Sequence, residues 1–215
     1  MESTLDSVLF FIVGLLIASW IIKKRLETGI LRAIGIYLVT TVFGLIAASP
    51  IKPFVVQAYK IPSSAMAPTL LVGDHILTNK FIYHFRNPVR GEVIVFPYPR
   101  DKSKDFLMRV IGLPGEKIEI IGEKILVNDV PIEDPWGHYT GVSLNTESAS
   151  DRYGPKIVPP NSLFVLGDNR DNSQDSRYWG FVNMSEVKDR VSSIYFSWDW
   201  RARRVRWERI GRAVE

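Results

Sequence analysis

The sequence predicts a mostly β domain preceded by two N-terminal transmembrane helices, and three observations lead there. Two uncharged apolar runs, Ser7 to Ile22 and Ala33 to Ile51, open the chain. After Pro53 the texture changes to short β-type runs set between Gly, Pro and Asn-Asp signals. The composition, 46% hydrophobic over 215 residues, excludes wholesale disorder and suits one ordinary domain plus accessory segments.

A helix crossing the bilayer core needs about 20 apolar residues. The run 33–51 meets this, and the run 7–22 is slightly short, with Lys23 and Lys24 placed to extend it by snorkelling. Lys23, Lys24, Arg25 and Arg32 between the runs belong on the cytoplasmic side by the positive-inside rule, which puts both the N-terminus and the later domain outside. A cleaved signal peptide and a soluble buried hairpin are the competing readings. Glu2 and Asp6 before the first run, and basic residues after it, disfavour the signal peptide. The expected division is a membrane anchor over 1–52 and a β-rich domain over 53–215.

Within the second part, strands are expected at Val93 to Phe96, Leu107 to Ile111, Lys117 to Ile121, Ile125 to Val127, Ser162 to Leu166 and Val191 to Trp198. A loop or flap is expected at about 122–160. Its portion from Asp134 to Pro160 is polar, Gly- and Pro-containing and without periodicity.

Chemistry is narrowed first by exclusion. The chain has no cysteine, so disulfides, thiolate metal sites and cysteine nucleophiles are out. His75, His84 and His138 lie far apart, and none has a partner at metal-ligand spacing, so neither a metal nor an organic cofactor is expected. The arginine-rich tail from Arg201 to Arg212 has no stacking platform, and the net charge is only +4, so no nucleic-acid partner is expected. A solvated edge or contact with anionic headgroups is the reading preferred for that tail.

Four segments remain. They are Ile61-Pro62-Ser63-Ser64-Ala65-Met66-Ala67-Pro68-Thr69-Leu70, Arg90-Gly91-Glu92-Val93-Ile94-Val95-Phe96, Asp105-Phe106-Leu107-Met108-Arg109-Val110-Ile111-Gly112, and Gly167-Asp168-Asn169-Arg170-Asp171-Asn172-Ser173-Gln174-Asp175-Ser176-Arg177. Together they resemble the bacterial type I signal peptidases, membrane-bound serine endopeptidases that use a Ser/Lys dyad. The resemblance implies an all-β signal-peptidase-type catalytic domain in the bacterial inner membrane, multi-pass, with the peptidase domain on the outer side. It implies signal peptides of exported preproteins and the lipid bilayer as partners, with the secretion translocon a further candidate.

At the two positions of the dyad this chain departs from the family. Ala65 stands at the nucleophile position and Met108 at the general-base position. Alanine has no oxygen to activate, and a thioether takes up no proton at neutral pH. In an extended segment Ser64 would point away from the site, and Ser63 would lie about 6.6 Å along the strand. Lys104 would be about 13 Å from Met108 by the same rise. The resemblance assigns Ser63 to the oxyanion hole, Ser173 to orienting the base, and Asp175 and Arg177 to a supporting ion pair. Asp168, Arg170 and Asp171 are read as structural charges of their loop. The resemblance also implies that substrate lies extended between Tyr59-Lys60-Ile61-Pro62 and Asp105-Phe106-Leu107. The chain is therefore expected to bind signal peptides without cleaving them. The alternative is a natural non-catalytic paralogue that binds signal peptides or regulates an active signal peptidase.

Overall fold

A computed structural model of the protein describes residues 56–141 and 152–214, together with Gly35, Tyr37, Leu38, Thr40 and Thr41, which are helical. The chain forms two compact units, Met1–Pro53 and Phe54–Glu215. Both expected transmembrane segments, 7–22 and 33–51, fall outside the described residues except for those five. No helix among the described residues is long and apolar enough to cross a membrane.

The described residues of the second unit contain twelve strands in two sheets. β1 (Val56–Lys60), β2 (Asp74–Asn79), β3 (Val93–Tyr98), β4 (Asp101–Gly112), β9 (Ser162–Leu166), β10 (Val182–Asn183) and β11 (Asp189–Asp199) form the larger one, in the order β1-β2-β11-β3-β4-β9-β10. β12 (Arg204–Val205) adds to β11. β5 (Lys117–Ile121), β6 (Lys124–Val127), β7 (Val130–Pro131) and β8 (Arg152–Ile157) form the smaller, in the order β7-β6-β5-β8.

Each sheet covers its own core. Ile76, Ile94, Phe96, Val110, Val165 and Val191 are among the buried residues of the first. Ile111, Ile118, Ile120, Phe164 and Leu166 are in the second. Full burial of such a side chain contributes about 1.5–3 kcal/mol, so these two clusters dominate the stability. Alternation explains the split: in β9, Val165 faces the first core while Phe164 and Leu166 face the second.

Three expectations are corrected. Beyond the strand expected at Ile125 to Val127, which is β6, the stretch 122–160 is not simply a loop, because β7 and β8 also lie in it. β8 is an edge strand whose residues other than Tyr153 are exposed, so it has no apolar period to recognise. β2 was not expected at all, since its inward positions carry Asp74 and Thr78 beside Ile76. The arginine tail is only partly a solvated edge. Arg209 is buried against Asp74, with Nη2 2.6 Å from Oδ2, and Arg206 Nε lies 3.4 Å from Asp199 Oδ2.

Candidate active site

The site is built where the chain leaves β1, crosses to β4 and returns after β9. β3 and β4 pair with Val95 opposite Leu107 and Ile94 opposite Met108. Among the described residues β1 is the end of its sheet and pairs only with β2. β9 meets β4 only from Arg109 onward, so Asp105 to Met108 have no strand on that side among the described residues. A cleft of about 380 Å³ is lined by both strands, so the sheet curls to bring the β1 end opposite β4.

The cleft gathers the expected residues. Tyr59, Lys60, Ile61 and Pro62 form one wall, and Asp105, Phe106 and Leu107 the other. Ser63, Ala65 and Met108 lie between them. Ser64, Met66, Val95, Asn172 and Gln174 also line it, and of these Val95, Asn172 and Gln174 carried no signal in the sequence as cleft residues. Lys104 is exposed and paired with Asp101 at 2.8 Å, so it offers no base to the cleft.

Residues 63–70 form bends and turns rather than an extended segment, which corrects the strand spacing assumed for Ser63 and Ser64. Turn hydrogen bonds run from Ala67 N to Ser64 O (3.0 Å) and from Leu70 N to Met66 O (2.8 Å). Packing from the loop after β9 fixes this turn. Asn169 N donates to Ala65 O (3.0 Å), its Nδ2 donates to Ser64 O (3.2 Å), and Asn172 Nδ2 donates to Ser64 Oγ (2.7 Å). Ser64 is thus held by Asn172. Gly167 makes the approach possible: a Cβ there would stand 2.2 Å from Ser173 Oγ and 2.6 Å from Ala65 O.

From behind, the turn is tied to the C-terminal segment. Asp74 accepts from Leu71 N (2.8 Å), Ser197 Oγ (2.6 Å) and Arg209, and Arg209 Nη2 also donates to Thr69 O (2.8 Å). Burial alone would push the Asp74 carboxyl up, but these donors overcome it and hold the carboxyl below its ordinary range.

Met108 is buried, and Ser173 Oγ lies 3.7 Å from its Sδ. Ser173 is therefore in contact with Met108, the residue expected at the base position. Asp175 and Arg177 form a two-point ion pair, Nε to Oδ1 at 2.8 Å and Nη2 to Oδ2 at 2.9 Å. Asp175 Oδ2 also accepts from Gly167 N (3.2 Å), which ties the pair to the glycine beside the turn.

The remaining charges of that loop reach outward to other segments. Asp168 chelates Arg109 (2.8 and 2.7 Å) with both side chains fully buried. Arg170 pairs with Asp134, and Asp171 Oδ2 accepts from Thr140 N (2.6 Å) and Gly141 N (2.9 Å). Asp168, Arg170 and Asp171 are thus held mainly by partners outside their loop, while Arg170 Nε also donates to Gly167 O within it (3.1 Å). His138 takes part through its backbone, donating to Asp168 O (2.7 Å) and accepting from Arg170 N (2.9 Å). Among the described residues no group of His, Asp and Glu is arranged to hold a metal ion.

Comparison with known proteins follows the same segments. The signal peptidase, peptidase S26 family matches residues 34–198. A signal peptidase I of Leptolyngbya laminosa is 39% identical over 156 residues, covering 68% of this chain and 72% of its own. One from Aquifex aeolicus (strain VF5) is 32% identical over 206 residues, covering 71% and 80%. One from Pseudomonas aeruginosa is 34% identical over 192 residues, covering 69% and 67%. The match extends from before β1 to the last residue but one of β11 and takes in every segment that builds the cleft, and on that extent the chain belongs to the peptidase S26 family of signal peptidases.

Proposed function

We propose that this chain binds signal peptides of exported preproteins in the cleft between β1 and β4 and does not cleave them. The observation that carries the reading is the contact of Ser173 Oγ with Met108 Sδ in a cleft where Ala65 also stands. It supports the reading that Ser173 would orient a base at position 108, where this chain offers a thioether, while Ala65 offers no hydroxyl to attack. Peptide would add as a strand along the open sides of β1 and β4, with backbone hydrogen bonds giving affinity and the cleft walls limiting side-chain size. The two apolar runs would anchor the domain on the outer face of the bacterial cytoplasmic membrane, with the translocon as a neighbour supplying preproteins.

The test is the double change Ala65→Ser with Met108→Lys. The introduced serine would attack the peptide carbonyl while the introduced amine takes its proton. The N–H of position 65 and the Ser63 hydroxyl would stabilise the oxyanion. Departure of the mature protein leaves an acyl-enzyme for water to hydrolyse. Preprotein cleavage should appear with both changes and stay near background with either alone. Cleavage by the unaltered chain would overturn the reading.

A further inference from the structure

Among the described residues two charged side chains line the cleft, one on each wall: Lys60 and Asp105. Asp105 is already paired, accepting from Lys188 Nζ at 2.7 Å. Lys60 is exposed, and none of the ion pairs among the described residues includes it. Its contact is with an aromatic ring instead, Nζ standing 5.1 Å from the centre of Trp200. A ring face holds an ammonium in place without cancelling its charge. Trp200 is itself exposed, and Arg201, Arg203 and Arg204, which follow it, are exposed and take part in none of those ion pairs. The edge of the domain that carries Lys60 therefore has unbalanced positive charge, while the carboxylate across the cleft is neutralised.

Strand alternation says which part of a bound peptide meets Lys60. Tyr59 is half-buried and opposite buried Ile76, and Ile61 is buried, whereas Lys60 is exposed and opposite His75. The ladder with β2 continues through Ile61, whose N donates to Asp74 O (2.8 Å). Lys60 therefore projects from the face of β1 opposite to that of its two neighbours. A peptide adding alongside β1 keeps the same alternation: the two small residues of an Ala-x-Ala motif face with Tyr59 and Ile61, and the residue between them faces with Lys60. Side chains directly opposite on one face stand about 4.5–5.5 Å apart at Cβ, well within a lysine's reach.

We infer that Lys60 is a specificity-determining residue: it makes the cleft prefer an acidic over a basic side chain at the middle position of the Ala-x-Ala motif. This rests on the reading of that cleft as a signal-peptide site. Asp105 on the other wall would favour the opposite choice, and its pairing with Lys188 is what leaves the preference to Lys60.

The measurement is peptide affinity of the full chain in uncharged detergent, using three signal peptides that differ only in carrying Glu, Gln or Lys at the middle position. The unaltered chain should bind the Glu peptide about fivefold more tightly than the Lys peptide, with Gln between them. The ratio should narrow as salt is raised from about 0.05 M to about 0.5 M, because the pair is exposed. Lys60→Met, which keeps the stem, should bring the ratio close to one, and Lys60→Glu should invert it. Only the ratio is read, so a change in overall affinity does not disturb the result. Lys124→Glu makes the same charge change at an exposed position of the smaller sheet and should keep the ratio of the unaltered chain. Equal loss of the ratio in Lys124→Glu, or a ratio unchanged by Lys60→Glu, overturns the inference and spares the function. So does a Lys60→Glu chain that loses binding to anionic vesicles with its ratio intact, which would assign the lysine to the bilayer surface. Absence of binding of all three peptides by the unaltered chain overturns both.

Discussion

Met108→Lys by itself is a quantitative probe of the site. The side chain it replaces is 3% exposed, with Ser173 Oγ as the polar atom in contact. Deep burial of an ammonium costs about 4 kcal/mol relative to water, and a hydrogen bond to the serine oxygen returns about 1 kcal/mol. The net cost near pH 7 is about 3 kcal/mol, which a domain of ordinary stability survives. Burial lowers the folded-state pKa of the new lysine, so over the window between that value and the ordinary lysine range the unfolded chain binds more protons. Stability therefore rises with pH there. Chemical denaturation of the full chain in detergent, followed by tryptophan fluorescence, should show the deficit against the parent shrinking from about pH 7 to about pH 10. A deficit that does not change with pH would refute the reasoning. The ammonium would then be reaching cleft water, and the position could not supply a neutral amine near working pH.

Asp74→Asn removes the charge facing buried Arg209 and should cost about 3–5 kcal/mol in the same assay. Because the folded Asp74 carboxyl lies below its ordinary range, its contribution is present above that range and is lost as pH falls through the depressed value, so parent and variant should converge in acid. Gly167→Ala forces a methyl against Ser173 Oγ and Ala65 O and should cost about 1–3 kcal/mol. It should also weaken signal-peptide binding more than tenfold, measured by peptide titration, because the turn at Ala65 is displaced. Unchanged binding would mean that the turn is not held by the loop after β9.

Legibility followed physical pattern. β3, β5 and β9 could be read because their buried positions are apolar and their ends are marked by turn residues, and β11 because Val191 and Ile194 supply apolar positions between buried Asp189 and Ser197. β2 escaped because Asp74 and Thr78 occupy inward positions, satisfied by Arg209, Ser197 and Asp189 from segments more than a hundred residues away. The turn over 63–70 was mistaken for extended chain because its geometry depends on Asn169 and Asn172, not only on its own residues.

The sequence by itself determined the class of domain, because that depends on local alternation, and its resemblance to the family marked the segments expected to form the cleft and positions 65 and 108 as those expected to hold the dyad. The tertiary structure decided what touches what. It set Ser173 against Met108, closed Asp74 over Arg209 and brought Asp189 to Thr78, since contacts between residues far apart in the chain are fixed by strand order and register, which local patterns do not encode.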